Sequence, residues 1–183
     1  MPHGRWQGYS GPVDLAGLIR DVPDFPEPGI IFRDITPLLL NPAAAQQVTA
    51  ELAAYARPLG VDIVVAAEAR GFIFGGALAQ AIGAGFVPAR KPGKLPAETI
   101  SVEYELEYGP DELEVHADAL SHGARVLIHD DLIATGGTAG ATIEAVERLG
   151  GEVVGCAFLI ELELLGGRRK IAPHDCHSLI RLD

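Results

Sequence analysis

Apolar and polar positions follow different periods in different parts of the chain, and the changes of period mark the elements. After Asn41-Pro42, Val48, Leu52, Tyr55 and Leu59 recur at helical spacing. Asn suits the N-cap there, and Pro suits the first helical position because its missing N–H would have no partner anyway. Gly60 ends that helix, and residues 61–67 form a continuous apolar run. Such a run predicts a strand covered on both faces, as in a parallel sheet. Residues 72–82 predict a helix stopped by Gly83, and Gly85–Ala89 a short strand. The buried pattern returns at 125–129. A polar loop, a helix from about 139 to 149 and a strand near 153–160 follow.

Between these parts the period is two. Ile100, Val102, Tyr104, Leu106 and Tyr108 alternate with Ser101, Glu103, Glu105 and Glu107, which predicts a strand with one wet face. Gly109-Pro110-Asp111 is a turn signal, and Leu113 and Val115 resume the alternation. Strand–helix–strand alternation on either side predicts an α/β fold: an open parallel sheet flanked by helices. The hairpin is then a flexible flap over about 90–116. No internal repeat interrupts the pattern.

Composition narrows the class. A length of 183 residues predicts a single domain over 1–183, with 1–12 as a loose, Gly-rich extension. No apolar run approaches the roughly 18 residues a membrane span needs, and the start lacks the apolar stretch of a secretory signal. Two cysteines, Cys156 and Cys176, form no CxxC pair, so reduced thiols and a cytoplasmic setting are expected. Lys and Arg total 14 against 25 Asp and Glu, a net charge of −11. That field repels a nucleic-acid backbone, so neither nucleic acid nor membrane is an expected partner. A small polyanion needs local cations, backbone N–H groups or a metal to offset the charge.

The strongest local signal is Val126-Leu127-Ile128-His129-Asp130-Asp131-Leu132-Ile133-Ala134-Thr135-Gly136-Gly137-Thr138. A buried strand leads into two carboxylates and then a Gly-Gly loop that opens a helix. Ligands of open α/β sheets bind beyond the carboxyl ends of strands. A helix N-terminus offers unpaired N–H groups to a phosphate. Gly136 and Gly137 admit close backbone approach, and the Thr135 and Thr138 hydroxyls add donors. Asp130 and Asp131 can accept hydrogen bonds from vicinal sugar hydroxyls. The bland alternative is a strand-to-helix turn with N-capping Thr and solvated Asp. No Gly-Lys-Ser/Thr and no GxGxxG fingerprint occurs.

Other groups carry less information alone. Glu68-Ala69-Arg70-Gly71 follows the first buried strand, so Arg70 lies at the same sheet edge and can grip a pyrophosphate; a solvated surface turn is the alternative. Arg90, Lys91 and Lys94 form the main cationic cluster, in a Pro- and Gly-punctuated loop. They either neutralise a bound anion or belong to an ordinary basic loop. Glu103, Glu105 and Glu107 read as one wet strand face. His174, Cys176 and His177 are too cramped for zinc without a fourth ligand and predict a C-terminal strand.

The thirteen-residue stretch closely resembles the phosphoribosyl-pyrophosphate motif of type I phosphoribosyltransferases. Phe25-Pro26-Glu27-Pro28-Gly29-Ile30-Ile31-Phe32-Arg33-Asp34-Ile35, Glu68-Ala69-Arg70-Gly71-Phe72, Arg90-Lys91-Pro92-Gly93-Lys94-Leu95-Pro96 and Leu106-Glu107-Tyr108-Gly109 extend the likeness to the adenine-using members, over most of the chain from Val22 on. His129 departs from the apolar residue usual before the acidic pair. Little effect is expected, because its side chain should point away from Asp130. The resemblance implies magnesium-dependent conversion of adenine and phosphoribosyl pyrophosphate to AMP and pyrophosphate in purine salvage, in a homodimer. It implies a hood from about 22–36 and a cis peptide between Glu68 and Ala69. Asp130 and Asp131 would hold the ribose, and Ala134, Thr135, Gly136, Gly137 and Thr138 the 5′-phosphate. Glu68, Ala69, Arg70, Arg90, Lys91 and Lys94 would surround pyrophosphate, and Ile31, Arg33 and Leu162 the base. Glu107 would exchange the base's proton, with Tyr108 beside it in the flap. Mg²⁺ would be held mainly by the substrate's pyrophosphate rather than by a protein cage. A non-catalytic sensor of the same sugar phosphate, and the same chemistry on another base, are the competing readings.

Overall fold

The computed structural model describes residues 11–106 and 109–183, and in it the buried apolar runs form one five-stranded parallel sheet. The chain divides into two compact units, one ending at Val48 and the other beginning at Thr49.

The first unit contains an antiparallel pair, β1 (Arg20–Pro23) and β2 (Ile31–Asp34), followed by a short helix α1 (Thr36–Leu39). Hydrophobic alternation does not announce β1 and β2, because their register is set by charge. Arg20 lies opposite Asp34 and Asp21 opposite Arg33. Arg20 Nε donates to Asp34 at 2.9 Å, and Arg33 Nη1 donates to Asp21 at 2.6 Å. Opposite charges facing across an antiparallel pair favour one register over its slips. Helix α2 (Pro42–Ala56) runs across the division between the units. Its N-cap is the expected one: Asn41 Oδ1 accepts from Ala43 N at 3.1 Å and Ala44 N at 3.2 Å. A 3₁₀ turn, Arg57–Leu59, tightens its end before Gly60.

In the second unit the chain continues through β3 (Ile63–Ala67), α3 (Gly71–Ile82), β4 (Gly85–Ala89), β5 (Thr99–Leu106), β6 (Gly109–His116), β7 (Arg125–Ile133), α4 (Gly137–Arg148), β8 (Glu152–Leu162), α5 (Gly167–Lys170) and β9 (Cys176–Leu182). The sheet order is β4-β3-β7-β8-β9, all pairs parallel. Val64, Val65, Ala66, Leu127, Ile128 and the stretch from Cys156 to Ile160 are buried. Helix α3 packs on one face so closely that a Cβ on Gly75 would lie 2.8 Å from Ala66 Cβ. On the other face Val65, Ile128 and Phe158 share a core with Ala139, Ile143 and Val146 of α4. Burying an aliphatic or aromatic side chain of this size contributes about 1.5–3 kcal/mol relative to exposure, an upper figure set by an extended unfolded chain.

The antiparallel hairpin β5–β6 joins that second core through Val102, Leu113 and Val115. Its wet face survives at Glu103. The turn is not at Gly109-Pro110-Asp111, as the sequence suggested: Gly109 already pairs with Leu106, and Asp111 with Tyr104. Strand alternation through Leu113 and Val115 outweighs the Gly-Pro turn signal. The C-terminal strand is present as β9. Its Cys176 lies opposite Cys156 of β8, both free and buried. Burial pushes the Cys156 thiol up to about 12, which makes it a poor nucleophile. Among the described residues no helix is long and apolar enough to cross a membrane.

The strand order reverses between β3 and β7. From β3 the chain crosses through α3 to β4 on one side; from β7 it crosses through α4 to β8 on the other. The segments leaving the carboxyl ends of β3 and β7 therefore diverge and leave a crevice, the place where open α/β sheets bind ligands.

Candidate active site

Two segments flank that crevice. The first leaves β7. The sequence placed the end of this strand near His129, but the ladder continues to Ile133, with Asp130 opposite Phe158 and Leu132 opposite Ile160. The two carboxylates are thus held by the sheet. Residues 134–136 turn into α4, and the chain reverses at Gly136, whose φ is 80°. The helix cap there is Gly136, with no side-chain hydrogen bond to the first turn. The alternative of a Thr-capped turn therefore does not describe this loop. The first turn of the helix lines a cavity of about 150 Å³ together with residues 132–136, a setting that suits a phosphate.

Asp130 and Asp131 are close neighbours with different partners. Asp130 Oδ1 accepts from Asp131 N at 2.8 Å. Helix α3 begins so near it that a Cβ on Gly71 would lie 2.7 Å from the same oxygen. Asp131 Oδ2 forms an ion pair with Arg70 Nε at 2.9 Å, in an orientation that does not make a proper hydrogen bond. Burial and then the Asp131 charge push the Asp130 carboxyl well above its ordinary range. Burial raises Asp131 too, against the pull of Arg70. Two crowded carboxylates with unused acceptor capacity can take hydrogen bonds from a ligand's hydroxyls.

The second segment leaves β3. The Glu68–Ala69 peptide is cis, as the resemblance implied, and Arg70 caps α3. Glu68 N donates to Ala89 O at the end of β4, 2.9 Å away. The Glu68 carboxylate accepts from Arg90 Nε at 2.8 Å and from Lys94 Nζ at 2.7 Å. Burial pushes its carboxyl up, but those hydrogen bonds outweigh burial and hold it below the ordinary carboxylate range. Lys91 turns elsewhere: its Nζ pairs with Asp111 and donates to Tyr104 OH at 3.1 Å, and Tyr104 donates to Asp111 at 3.0 Å. The structure thus gathers Glu68, Arg90 and Lys94 and ties Lys91 to the hairpin.

Leu162 ends β8 at the same sheet edge and is half-buried. Ile31 and Arg33 belong to β2 in the first unit, Ile31 exposed and Arg33 paired with Asp21. Glu107 and Tyr108 lie outside the described residues. His129 is fully buried, with Nδ1 2.8 Å from Ala157 O; burial pushes its pKa down to about 4.

Sequence reasoning missed the support behind the first segment. Gly167 N donates to Ala134 O at 3.0 Å. Arg168 grips Glu161 with two nitrogens, Nε at 3.0 Å and Nη2 at 2.6 Å. The available signal was Glu161 within the apolar run Leu159-Ile160-Glu161-Leu162, since a buried charge calls for a partner.

This architecture, a parallel sheet with an anion loop after a carboxylate-bearing strand and an Arg loop after its neighbour, defines a class, and residues 37–177 match the phosphoribosyl transferase domain. An adenine phosphoribosyltransferase of Rubrobacter xylanophilus is 60% identical over 167 residues, covering 91% of this chain and 90% of that protein. The crystal structure of the adenine phosphoribosyltransferase from Thermoanaerobacter pseudethanolicus superposes with a TM-score of 0.90 at 52% identity, covering 92% of this chain and 98% of that one. The Saccharomyces cerevisiae enzyme, complexed with an imino-altritol bisphosphate and adenine, superposes with a TM-score of 0.86 at 39% identity, over 91% of this chain and 96% of that one. The chain belongs to the phosphoribosyl transferase family, in the branch of the adenine phosphoribosyltransferases.

Proposed function

We propose that the chain transfers the 5-phosphoribosyl group of phosphoribosyl pyrophosphate to adenine, giving AMP and pyrophosphate in purine salvage. The observation that carries this reading is the carboxylate pair of β7 opening directly into the uncapped loop 134–138, with Arg70 beside it at the switch point. The yeast relative's complex with adenine supports the choice of base.

In this reading the amides and hydroxyls of residues 134–138 hold the 5′-phosphate, and Asp130 and Asp131 accept from the ribose hydroxyls. Glu68, Ala69, Arg70, Arg90, Lys91 and Lys94 face pyrophosphate. The bond from the sugar's anomeric carbon to a pyrophosphate oxygen breaks, and its electron pair leaves with pyrophosphate. A ring nitrogen of adenine attacks the carbon and loses its proton, for which Glu107 is the proposed acceptor. Arg70, Arg90 and Lys94 stabilise the charge that develops on the leaving group. Ile31, Arg33 and Leu162 are the proposed base-binding residues, with Tyr108 in the flap. The hood at 22–36 and the flap at 90–116 then serve one catalytic domain.

The site fits magnesium in a particular way. No cluster of three His, Cys, Asp or Glu side chains suited to a metal occurs among the described residues, and the carboxylates beside the loop are Asp130 and Asp131, the latter ion-paired with Arg70. That donor set suits an ion held chiefly by substrate oxygens with one or two carboxylates nearby. Bound so, magnesium would neutralise pyrophosphate charge. A homodimer in the cytoplasm completes the reading, supported by the likeness to the family.

The test is pyrophosphate release from phosphoribosyl pyrophosphate and Mg²⁺ with a panel of free bases. Adenine should be turned over far faster than hypoxanthine, guanine or uracil. Equal or faster turnover of any of those three overturns the base assignment, and release with none overturns the reaction.

A further inference from the structure

Behind the loop at 134–138 lies a second, shorter Gly-Gly turn with no assigned role. Gly136 and Gly167 face each other backbone to backbone. A Cβ on Gly136 would sit 2.6 Å from Gly167 O. A Cβ on Gly167 would run into Ala134 O and would lie 2.8 Å from Gly136 N and 2.9 Å from Ile133 Cγ1. Gly167 N also donates to Ala134 O at 3.0 Å. Gly167 is buried and is not among the residues that line the loop's cavity. It supports the loop without facing the ligand space.

Something must hold Gly167 there, because α5 has only four residues and little stability of its own. The holder is its neighbour. Arg168 closes a two-pronged grip on Glu161, and its Nη1 also donates to Cys176 O. Glu161 is buried near the end of β8, opposite Ile133 of β7 and Arg181 of β9. Arg181 Nε lies 3.9 Å from the same carboxylate. One guanidinium thereby ties the carboxyl-terminal part of β8 to the first residue of β9, and it holds the adjoining glycine against the loop. A planar fork set on a buried carboxylate has one favoured geometry, which a flexible ammonium does not reproduce.

We propose that Glu161, Gly167 and Arg168 are positioning residues for the 5′-phosphate: they set the height and orientation of residues 134–138, and so the affinity for the phosphoribosyl ligand, without touching it. This rests on the reading of 134–138 as the phosphate loop. The ligand chemistry is a sugar monophosphate. The three residues act on ground-state and transition-state grip alike, so their removal should raise KM more than it lowers kcat.

The experiment uses Gly167→Ala, Glu161→Gln and Arg168→Lys in the full chain. The readouts are KM for phosphoribosyl pyrophosphate, KM for adenine, kcat, the dissociation constant of ribose 5-phosphate, and hydrogen exchange of the amides at 135–138. In Gly167→Ala the ribose 5-phosphate constant and the KM for phosphoribosyl pyrophosphate should rise about tenfold to a hundredfold while the KM for adenine moves less than about threefold, because a misplacement of about 1 Å costs on the order of 10². Exchange at 135–138 should quicken. Arg168→Lys and Glu161→Gln should shift the same quantities in the same direction by smaller factors. A folded Gly167→Ala with wild-type constants and wild-type exchange overturns the proposal. So does a loss that scales both Michaelis constants alike, since that is general damage. If Gly167→Ala does not fold, Arg168→Lys decides: wild-type behaviour overturns the proposal, and a selective rise supports it. If the wild-type chain neither binds ribose 5-phosphate nor consumes phosphoribosyl pyrophosphate, the functional reading fails on its own. The exchange rates at 135–138 still decide whether these residues position the loop.

Discussion

The two segments at the crevice do related work with different materials. Residues 134–138 present backbone amides, shaped by a glycine at φ 80° and by a helix start that no side chain caps. Residues 68–70 and 90–94 present long cationic side chains, and in the structure those cations already have partners. Arg90 and Lys94 rest on Glu68, Lys91 on Asp111 and Tyr104, and Arg70 on Asp131. Backbone amides have no counter-charge to release, so the first segment is ready for a ligand as it stands. In the proposed function the second would exchange an internal carboxylate for an external anion each time one binds. On that proposal a permanent grip would serve the 5′-phosphate, which stays through the reaction, and an exchangeable one the pyrophosphate, which must leave.

Substitutions at the two segments should therefore fail differently. The largest effect is expected on the backbone side. Gly136→Ala places a Cβ 2.6 Å from Gly167 O at a positive φ, and a displaced loop should raise KM for phosphoribosyl pyrophosphate on the order of 10²-fold. Wild-type steady-state kinetics in this variant would remove the contrast at its root. Next comes the carboxylate pair. Changing Asp130 and Asp131 together to Asn should also raise that KM strongly, while Asp130→Asn alone should raise the melting temperature at neutral pH. The sign follows from the raised Asp130 pKa: the folded state binds the proton more tightly, so stability is fully present below the ordinary carboxylate pKa and is lost as pH rises through the folded value. Asn removes that loss. An Asp130→Asn variant that melts lower than wild type at neutral pH, with Asp131 intact, would show that charge burial is not what strains this site.

On the cationic side a smaller change is expected, with a distinct dependence on ionic strength. Lys94→Met should weaken pyrophosphate in the reverse reaction about tenfold, the value of one charge-assisted hydrogen bond. Its remaining affinity should depend less on salt than that of wild type. The Gly136→Ala defect should keep the wild-type salt dependence. Identical salt profiles in the two variants would erase the distinction between the segments.

The smallest effect on turnover is expected at His129, behind the carboxylates on β7. Its folded pKa of about 4 lies below the ordinary 6.5. The unfolded state therefore takes the proton first. Its contribution is fully present above pH 6.5 and is lost as pH falls toward 4. A gap of that size corresponds to about 3 kcal/mol. His129→Leu should flatten this acid limb in urea melts at pH 4.5–6.5, with activity at neutral pH nearly unchanged. An acid limb equal to that of wild type would assign the lost stability to other groups.

Much of this was legible in the sequence where one force dominates. Unbroken apolar runs gave β3, β7 and β8, because only a strand covered on both faces tolerates them; the sequence shows β4, at the sheet edge with Phe86 exposed, only as a short strand after Gly83. Asn41, Gly60 and Gly83 marked helix ends because caps need particular side chains or a positive φ. Period two gave the hairpin. Elements held by pairs of residues far apart in sequence were hidden. The ladder of β1 and β2 is registered by Arg20–Asp34 and Asp21–Arg33, a match that exists only after folding. The true hairpin turn was masked by a stronger local signal at Gly109-Pro110. The segments 68–71 and 134–138 could be named from chain order, since each follows a parallel strand. The partners of Arg90, Lys94 and Lys91 could not, because long side chains choose among several carboxylates in three dimensions.

The closeness of Gly136 and Gly167 bears on inheritance and on engineering. The stretch from Val126 to Thr138 looks like a cassette that could be moved whole into another parallel sheet. It is not self-contained, because its rear wall is a peptide unit contributed from beyond the following strand. A graft carrying only the stretch would arrive without the surface it leans on. A host residue with a side chain at the place of Gly167 would push the loop out of shape. Variation in a lineage is constrained in the same way: a larger residue at either glycine requires a retreat of the other backbone, so the two positions are expected to change together or not at all.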